Sequence, residues 1–203
     1  MNKTECNSDK SKTITLIRHG EPVIFSNIPI LSIVNGAEIR KFLDIYNQCT
    51  IILPPAVPLY LKKITETGDF FISSNLKRAK ESFTYLGVHK FETNDLFNEA
   101  ELPNGMFKNL RMPLFIWSFL LRAAWVSGYN RECESIKKFK FRIKRAKEYL
   151  DEKMAENSNI VVMAHCMMNF TLGRELKKDN WVLMESVNGS KFWSLKKYCK
   201  EMR

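Results

Sequence analysis

At 203 residues and 23.8 kDa, with 45% hydrophobic and 27% charged residues, the chain has the make-up of a globular protein large enough for one sizeable core. A net charge of +10 and a pI near 9.4 favour anionic ligands in general, from phosphate esters to nucleic acid and acidic membranes, without choosing among them. Five scattered cysteines, an odd number with no C-x-x-C pair, argue against a disulfide framework or a cysteine-rich zinc site and fit a reducing cytoplasm; three histidines supply a histidine-built metal centre poorly.

Residues 1–12 are polar and lack the apolar core of a secretory signal, so they read as a flexible tail, with a single domain expected over residues 13–203. The first apolar run, Thr13 to Ile17, predicts a buried strand, and helix-spaced apolar positions follow over Gly36 to Tyr46. Prolines punctuate Ile52 to Leu59 as an extended connection, before a helix leading to a second strand at Phe70 to Ile72. A helical pattern covers Asn75 to Leu86. The stretch Met112 to Tyr129 is the most apolar of the chain; Arg122 interrupts it short of the ~18 apolar residues a spanning helix needs, and it reads as a buried helix. Ile136, Phe139, Ile143, Ala146, Leu150 and Met154 form one helical stripe, and Asn159 to Ala164 and Lys191 to Tyr198 complete the strands. Strands alternating with helices predict an α/β fold: a three-layer, doubly wound, mostly parallel sheet with helices on both faces and a helical insertion before Ser135.

Ligand sites in such sheets form beyond the carboxyl ends of the strands. After the first strand come Arg18 and His19; after the second, Ser73, Ser74 and then Arg78 in the first helical turn; after Asn159 to Ala164 comes His165. A lone arginine or histidine at a strand end is usually a solvated or structural residue. Two of each on one rim, from three distant segments, describe a phosphoryl pocket, because guanidinium forks match phosphate oxygens and a neutral imidazole is a competent nucleophile.

The segments RHGEP (Arg18 to Pro22), SSNLKRAKES (Ser73 to Ser82), NEAELP (Asn98 to Pro103) and VVMAHCMMN (Val161 to Asn169) resemble, in order, the four signatures of the histidine phosphatase superfamily, also called phosphoglycerate mutase-like. The GYNRECES and RIKRA segments further resemble the helix start that commonly precedes the last motif. The resemblance implies a cofactor-free, metal-free phosphatase, a phosphoric monoester hydrolase that works through a phosphohistidine. In it His19 is the nucleophile, Arg18, Arg78 and His165 bind the phosphoryl oxygens, and a carboxyl protonates the leaving group. Glu99 aligns best with that acid, and Glu101 is the alternative. Two positions depart from the pattern: Phe25 stands where many members have asparagine, and Cys166 where glycine is usual.

Other readings remain beside this one. A phosphoglycerate-type phosphomutase would return the phosphoryl group to a sugar acid. A cysteine phosphatase built on Cys166 requires an arginine at position 172, which is Leu172. A non-catalytic polyanion-binding module would use the basic helix around Lys137, Lys140 and Lys144, with Phe141 to stack, although such a charged face is usually only solvated. The expected partner is a small-molecule or peptide phosphate ester, with no nucleic acid and no membrane, and a pocket lining is expected from Phe25 and the stretch around Phe115 and Trp117.

Overall fold

A computed structural model describes residues 11–104 and 107–201; the tail expected at the N-terminus falls, up to residue 10, outside the described residues. Its strands are β1 (Ser11–Arg18), β2 (Ile33–Asn35), β3 (Phe70–Ser73), β4 (Glu92–Thr93), β5 (Arg111–Pro113), β6 (Asn159–Ala164), β7 (Val182–Val187) and β8 (Leu195–Glu201). The helices are α1 (Ile24–Asn27), α2 (Gly36–Gln48), α3 (Leu59–Thr67), α4 (Lys77–Tyr85), α5 (Leu114–Val126), α6 (Ile136–Lys153) and α7 (Cys166–Lys178).

Six strands form one sheet in the order β4-β3-β6-β1-β8-β7. The pairs β1–β6, β3–β6 and β3–β4 are parallel, and only β8 runs against its neighbours. Because successive strand side chains point to opposite faces, β6 divides its residues between two cores. Ile160, Val162 and Ala164 join Ile14, Leu16 and the inner faces of α6 and α7, while Val161 and Met163 join Ile17 and the inner faces of α3 and α4. The mostly parallel, helix-covered α/β sheet is as the sequence predicts.

Three local expectations are corrected. Lys191 to Ser194 is a turn, and the last strand starts at Leu195, because Trp193 takes a left-handed backbone (φ 60°) that no strand accommodates. The apolar helix α5 is buried on one side only: Leu114, Trp117, Leu121 and Trp125 pack inward while Phe115, Phe119 and Val126 face outward. Trp117, expected in a pocket lining, is a wholly buried core residue whose Nε1 donates to the Val34 carbonyl at 2.9 Å. In addition, Cys199 in β8 is disulfide-bonded, whereas Cys49, Cys133 and Cys166 are free thiols.

Helix α2 opens on a capping box in which Asn35 Oδ1 accepts from Ala37 N and Glu38 N and Glu38 Oε2 accepts from Asn35 N. Short strands β2 and β5 pair antiparallel and dock α5 against α2, so the helical insertion forms a third apolar cluster around Ile39, Phe42, Leu114 and Trp117.

The stripe of α6 should carry much of the stability. Ile143→Ala is expected to cost about 2–5 kcal/mol in urea unfolding with an unchanged m-value. Leu59→Ala, at a position 83% exposed, should stay within about 0.5 kcal/mol of the parent.

Candidate active site

The parallel ladder continues past the strand ends and fixes the rim. His19 N donates to the Ala164 carbonyl at 3.1 Å and Ser74 N to the Met163 carbonyl at 3.1 Å, so His19, Ser74 and His165 are laid side by side by backbone alone. Gly20 must then be glycine, since a Cβ there would lie 2.4 Å from the Trp193 ring. Its N–H donates to Ser82 Oγ at 2.9 Å, and that hydroxyl donates to the Arg78 carbonyl at 2.7 Å, which ties the first strand end to α4.

His19 is only 1% exposed, and Arg78 and His165 are wholly buried. The Nδ1 of His19 lies 2.7 Å from the Gly20 carbonyl, an acceptor only, so Nδ1 carries the proton and Nε2 keeps its lone pair. Arg78 Nε donates to that Nε2 at 3.2 Å. The two imidazole centroids are 4.9 Å apart, and His165 Nε2 is 2.6 Å from Ser74 Oγ. Burial first, and then the Arg78 guanidinium, hold the pKa values of both imidazoles well below the ordinary 6.5, with Arg18 adding to both and His19 itself to His165. Both rings are neutral at neutral pH.

Polar accounting identifies what the cluster lacks. Arg18 Nε, Arg78 Nη2 and His165 Nδ1 are buried side-chain nitrogens without a hydrogen-bond partner, three of the four such nitrogens among the described residues. Unmatched buried polar nitrogens are costly, and these belong to the sequence neighbour of His19, to its hydrogen-bond partner and to the imidazole facing it. An anion with several acceptor oxygens satisfies them together.

Each guanidinium also donates to one backbone carbonyl. Arg78 Nη1 donates to Tyr46 O at 2.9 Å, and Arg18 Nη1 donates to Ser190 O. Aromatic rings lie over both: Arg78 is 4.4 Å from the Tyr46 centroid, and Arg18 is 4.1 Å from that of Phe192, which is itself 5.7 Å from His19. Phe25 packs between Phe42, Tyr46 and Phe192 with centroids about 6 Å away in each case. The position at which the family pattern has asparagine thus contributes to an apolar cover over the imidazole.

Glu99 and Glu101 are placed differently. Glu99 caps α7: Oε2 accepts from Met167 N at 3.2 Å and Oε1 from Met168 N at 3.1 Å, next to His165. Its loop is clamped from behind, since Arg142 donates to the Leu96 and Asn98 carbonyls at 2.9 and 2.8 Å while paired with Glu134 at 2.7 Å, and Arg122 donates to the Ala100 carbonyl. Glu101 is exposed. A cavity of about 350 Å3 has both Arg18 and Glu99 in its lining, with Arg122, Cys166, Ser190 and Lys196; His19, Arg78 and His165 do not line it.

The structure therefore brings His19, Arg78 and His165 into one cluster, sets Arg18 beside it and puts Glu99 on the adjoining cavity. Ser74 and Ser82 lie within the quoted SSNLKRAKES motif, whose serines gave no sign of these partners. Tyr46 and Phe192 left no local signal, because each meets its arginine only through the fold.

No protein-family model matches the chain, and no curated protein sequence does. Solved structures do. A phosphoglycerate mutase from Bacillus anthracis shares 18% identity at a TM-score of 0.55, over 95% of this chain and 89% of that one. A mycobacterial glucosyl-3-phosphoglycerate phosphatase shares 15% identity at a TM-score of 0.52, over 83% and 81% of the two chains. The same phosphatase in complex with VO3 gives 17% identity and a TM-score of 0.52 over 82% and 81%. Shared at these identities is the architecture: the chain has the fold of these phosphoglycerate mutase and phosphatase structures.

Proposed function

We propose that this chain is a phosphate-monoester hydrolase acting through a phosphohistidine at His19. The observation that carries this reading is the set of three unpartnered buried nitrogens, from Arg18, Arg78 and His165, beside a neutral imidazole whose unprotonated Nε2 accepts from Arg78 Nε, a bond that an entering phosphoryl group would displace. A phosphoryl group fits that description by charge and by number of acceptors. The VO3 bound by a structural neighbour is an anion of the same class.

In the proposed reaction, His19 Nε2 forms a bond to phosphorus as the bond to the ester oxygen breaks, and the departing alkoxide takes a proton from the Glu99 carboxyl. Arg18, Arg78 and the Nδ1–H tautomer of His165, supported by Ser74, neutralise the equatorial oxygens. Water then attacks phosphorus, gives its proton to the Glu99 carboxylate and releases orthophosphate, restoring His19. The leaving group occupies the cavity beside Glu99. Entry of the ester exchanges the Tyr46 and Ser190 carbonyls for phosphoryl oxygens and displaces Phe192.

His19→Ala should abolish both turnover of an aryl phosphate, by about 10³-fold or more, and the acid-labile phosphoenzyme seen on rapid quench. Chelator treatment of the parent should leave the rate unchanged. A requirement for a bisphosphorylated primer would instead support the mutase reading, which the Bacillus anthracis neighbour keeps in view.

Glu99→Gln should lower kcat by about 10²–10⁴-fold on an alkyl phosphate, a poor leaving group, and much less on an activated aryl ester. Glu101→Gln should change neither by more than about threefold. The reverse pattern would assign the proton donor to Glu101.

Acid should weaken the fold in a defined window. The unfolded chain protonates its histidines near 6.5, whereas His19 and His165 stay neutral to well below that value in the folded protein. Proton uptake therefore favours unfolding: stability is whole above about pH 6.5 and falls beneath it, by up to about 1.4 kcal/mol per pH unit for each imidazole, until the folded pKa is reached. Urea unfolding across that window measures the slope, and the double variant His19→Asn/His165→Asn should flatten it.

A further inference from the structure

A helix that is apolar all round is normally buried on every side. Helix α5 reads LFIWSFLLRAAWV and is not: its outward positions are Phe115, Phe119, Ala123 and Val126, with no charged side chain among them. Phe119 is 71% exposed. The surface continues onto the neighbouring segment, because Phe115 N donates to the Ile30 carbonyl at 3.1 Å, Leu114 N to the Ser32 carbonyl at 2.9 Å, and Ile33 pairs with Pro113. Ile30, Leu31 and Ile33 are also exposed, the last two by 70% and 61%. Six large apolar side chains on one face exceed the scattered exposure that needs no explanation.

The two segments that form this face carry basic residues and no acid, with exposed Glu38 just outside them, bonded to the N–H of Asn35, the strand partner of Arg111. Residues 22–37 contain no charged side chain, and residues 102–131 contain Lys108, Arg111, Arg122 and Arg131 with no acid. Arg122 turns inward to the Ala100 carbonyl, and Arg131 is near Glu132. Lys108 and Arg111 are exposed at the edge of the face, and among the described residues neither is in an ion pair.

We infer that this face docks on the headgroup–acyl boundary of an anionic bilayer, with Phe115, Phe119 and Leu31 entering the apolar layer and Lys108 and Arg111 meeting lipid phosphates. The expectation of no membrane partner rested on the lack of a spanning segment, and no helix among the described residues is long and apolar enough to cross a membrane. Surface docking needs no such helix. A second copy of the chain fits less well, because a two-fold contact would cover Lys108 and Arg111 with the same acid-poor face and bring them no concentrated counter-charge.

Sedimentation with vesicles of phosphatidylcholine, with and without phosphatidylglycerol, tests the inference. Phosphatidylglycerol is a phosphodiester, so capture by a monoester site is not in play, and His19→Ala should bind as the parent does. The parent should partition onto the anionic vesicles, less so at high salt, and hardly onto phosphatidylcholine alone. Lys108→Gln/Arg111→Gln should lower the partition coefficient about 30-fold, and Phe119→Ser about tenfold, with unfolding temperature and aryl phosphatase rate unchanged. The control Lys137→Gln/Lys138→Gln, on the exposed side of α6, should leave partition within about twofold. Three results would each overturn the inference: equal binding to both vesicles, an equal loss in the α6 control, or a parent dimer in solution that Phe119→Ser converts to monomer.

Discussion

Everything at the rim follows from burying guanidinium and imidazole groups together without an internal counter-charge. Arg78 has no solvent exposure, and among the described residues no carboxylate pairs with it; its hydrogen bonds go to a carbonyl and to the His19 ring. A buried cation of this kind forces its imidazole neighbours to stay neutral, which makes them lone-pair donors rather than additional charges. The same shortage of negative charge leaves the nitrogens of Arg18, Arg78 and His165 unmatched. The site is a cationic cluster with unmatched nitrogens, and under the proposed function that preorganisation would be the main source of rate enhancement.

The scaffold holds this arrangement through backbone more than through side chains. His19 and Ser74 are placed by ladder hydrogen bonds that extend the sheet by one residue, and His165 follows directly from the central strand. The acid loop is held differently. It has no strand to extend, so Arg142 gathers the carbonyls of Leu96 and Asn98 while Glu134 neutralises its charge. Arg142 belongs to the basic helix that could have been read as a polyanion surface. One of its cations is thereby spoken for by the fold, and Lys147 is another, bridged to Asp151 and Asp179.

How far the sequence could be read depended on whether a feature was local. The central strands β1, β3 and β6 are legible as apolar runs because both their faces are covered. Strand β7 is an edge strand, mostly exposed, and its VLMESV shows neither a run nor a clean alternation. The start of β8 was hidden by a left-handed turn at Trp193, a conformation tryptophan gives no hint of. Arg18, His19, Arg78 and His165 stood out because strand ends are where parallel sheets expose side chains. The stacking of Tyr46 on Arg78 and of Phe192 on Arg18 could not be seen, since each joins residues that only the tertiary fold makes neighbours.

The double duty of Glu99 links chemistry to helix mechanics. Its carboxylate is both the proposed proton carrier and the group that accepts from the first free N–H donors of α7. When the carboxyl takes up a proton, this anchor slackens, and the turn that begins at His165 loses part of its restraint; when the proton leaves, the turn tightens again. If Glu99 carries the proton as proposed, each turnover would pluck the same helix end twice, and the tautness of α7 would keep time with the position of one proton.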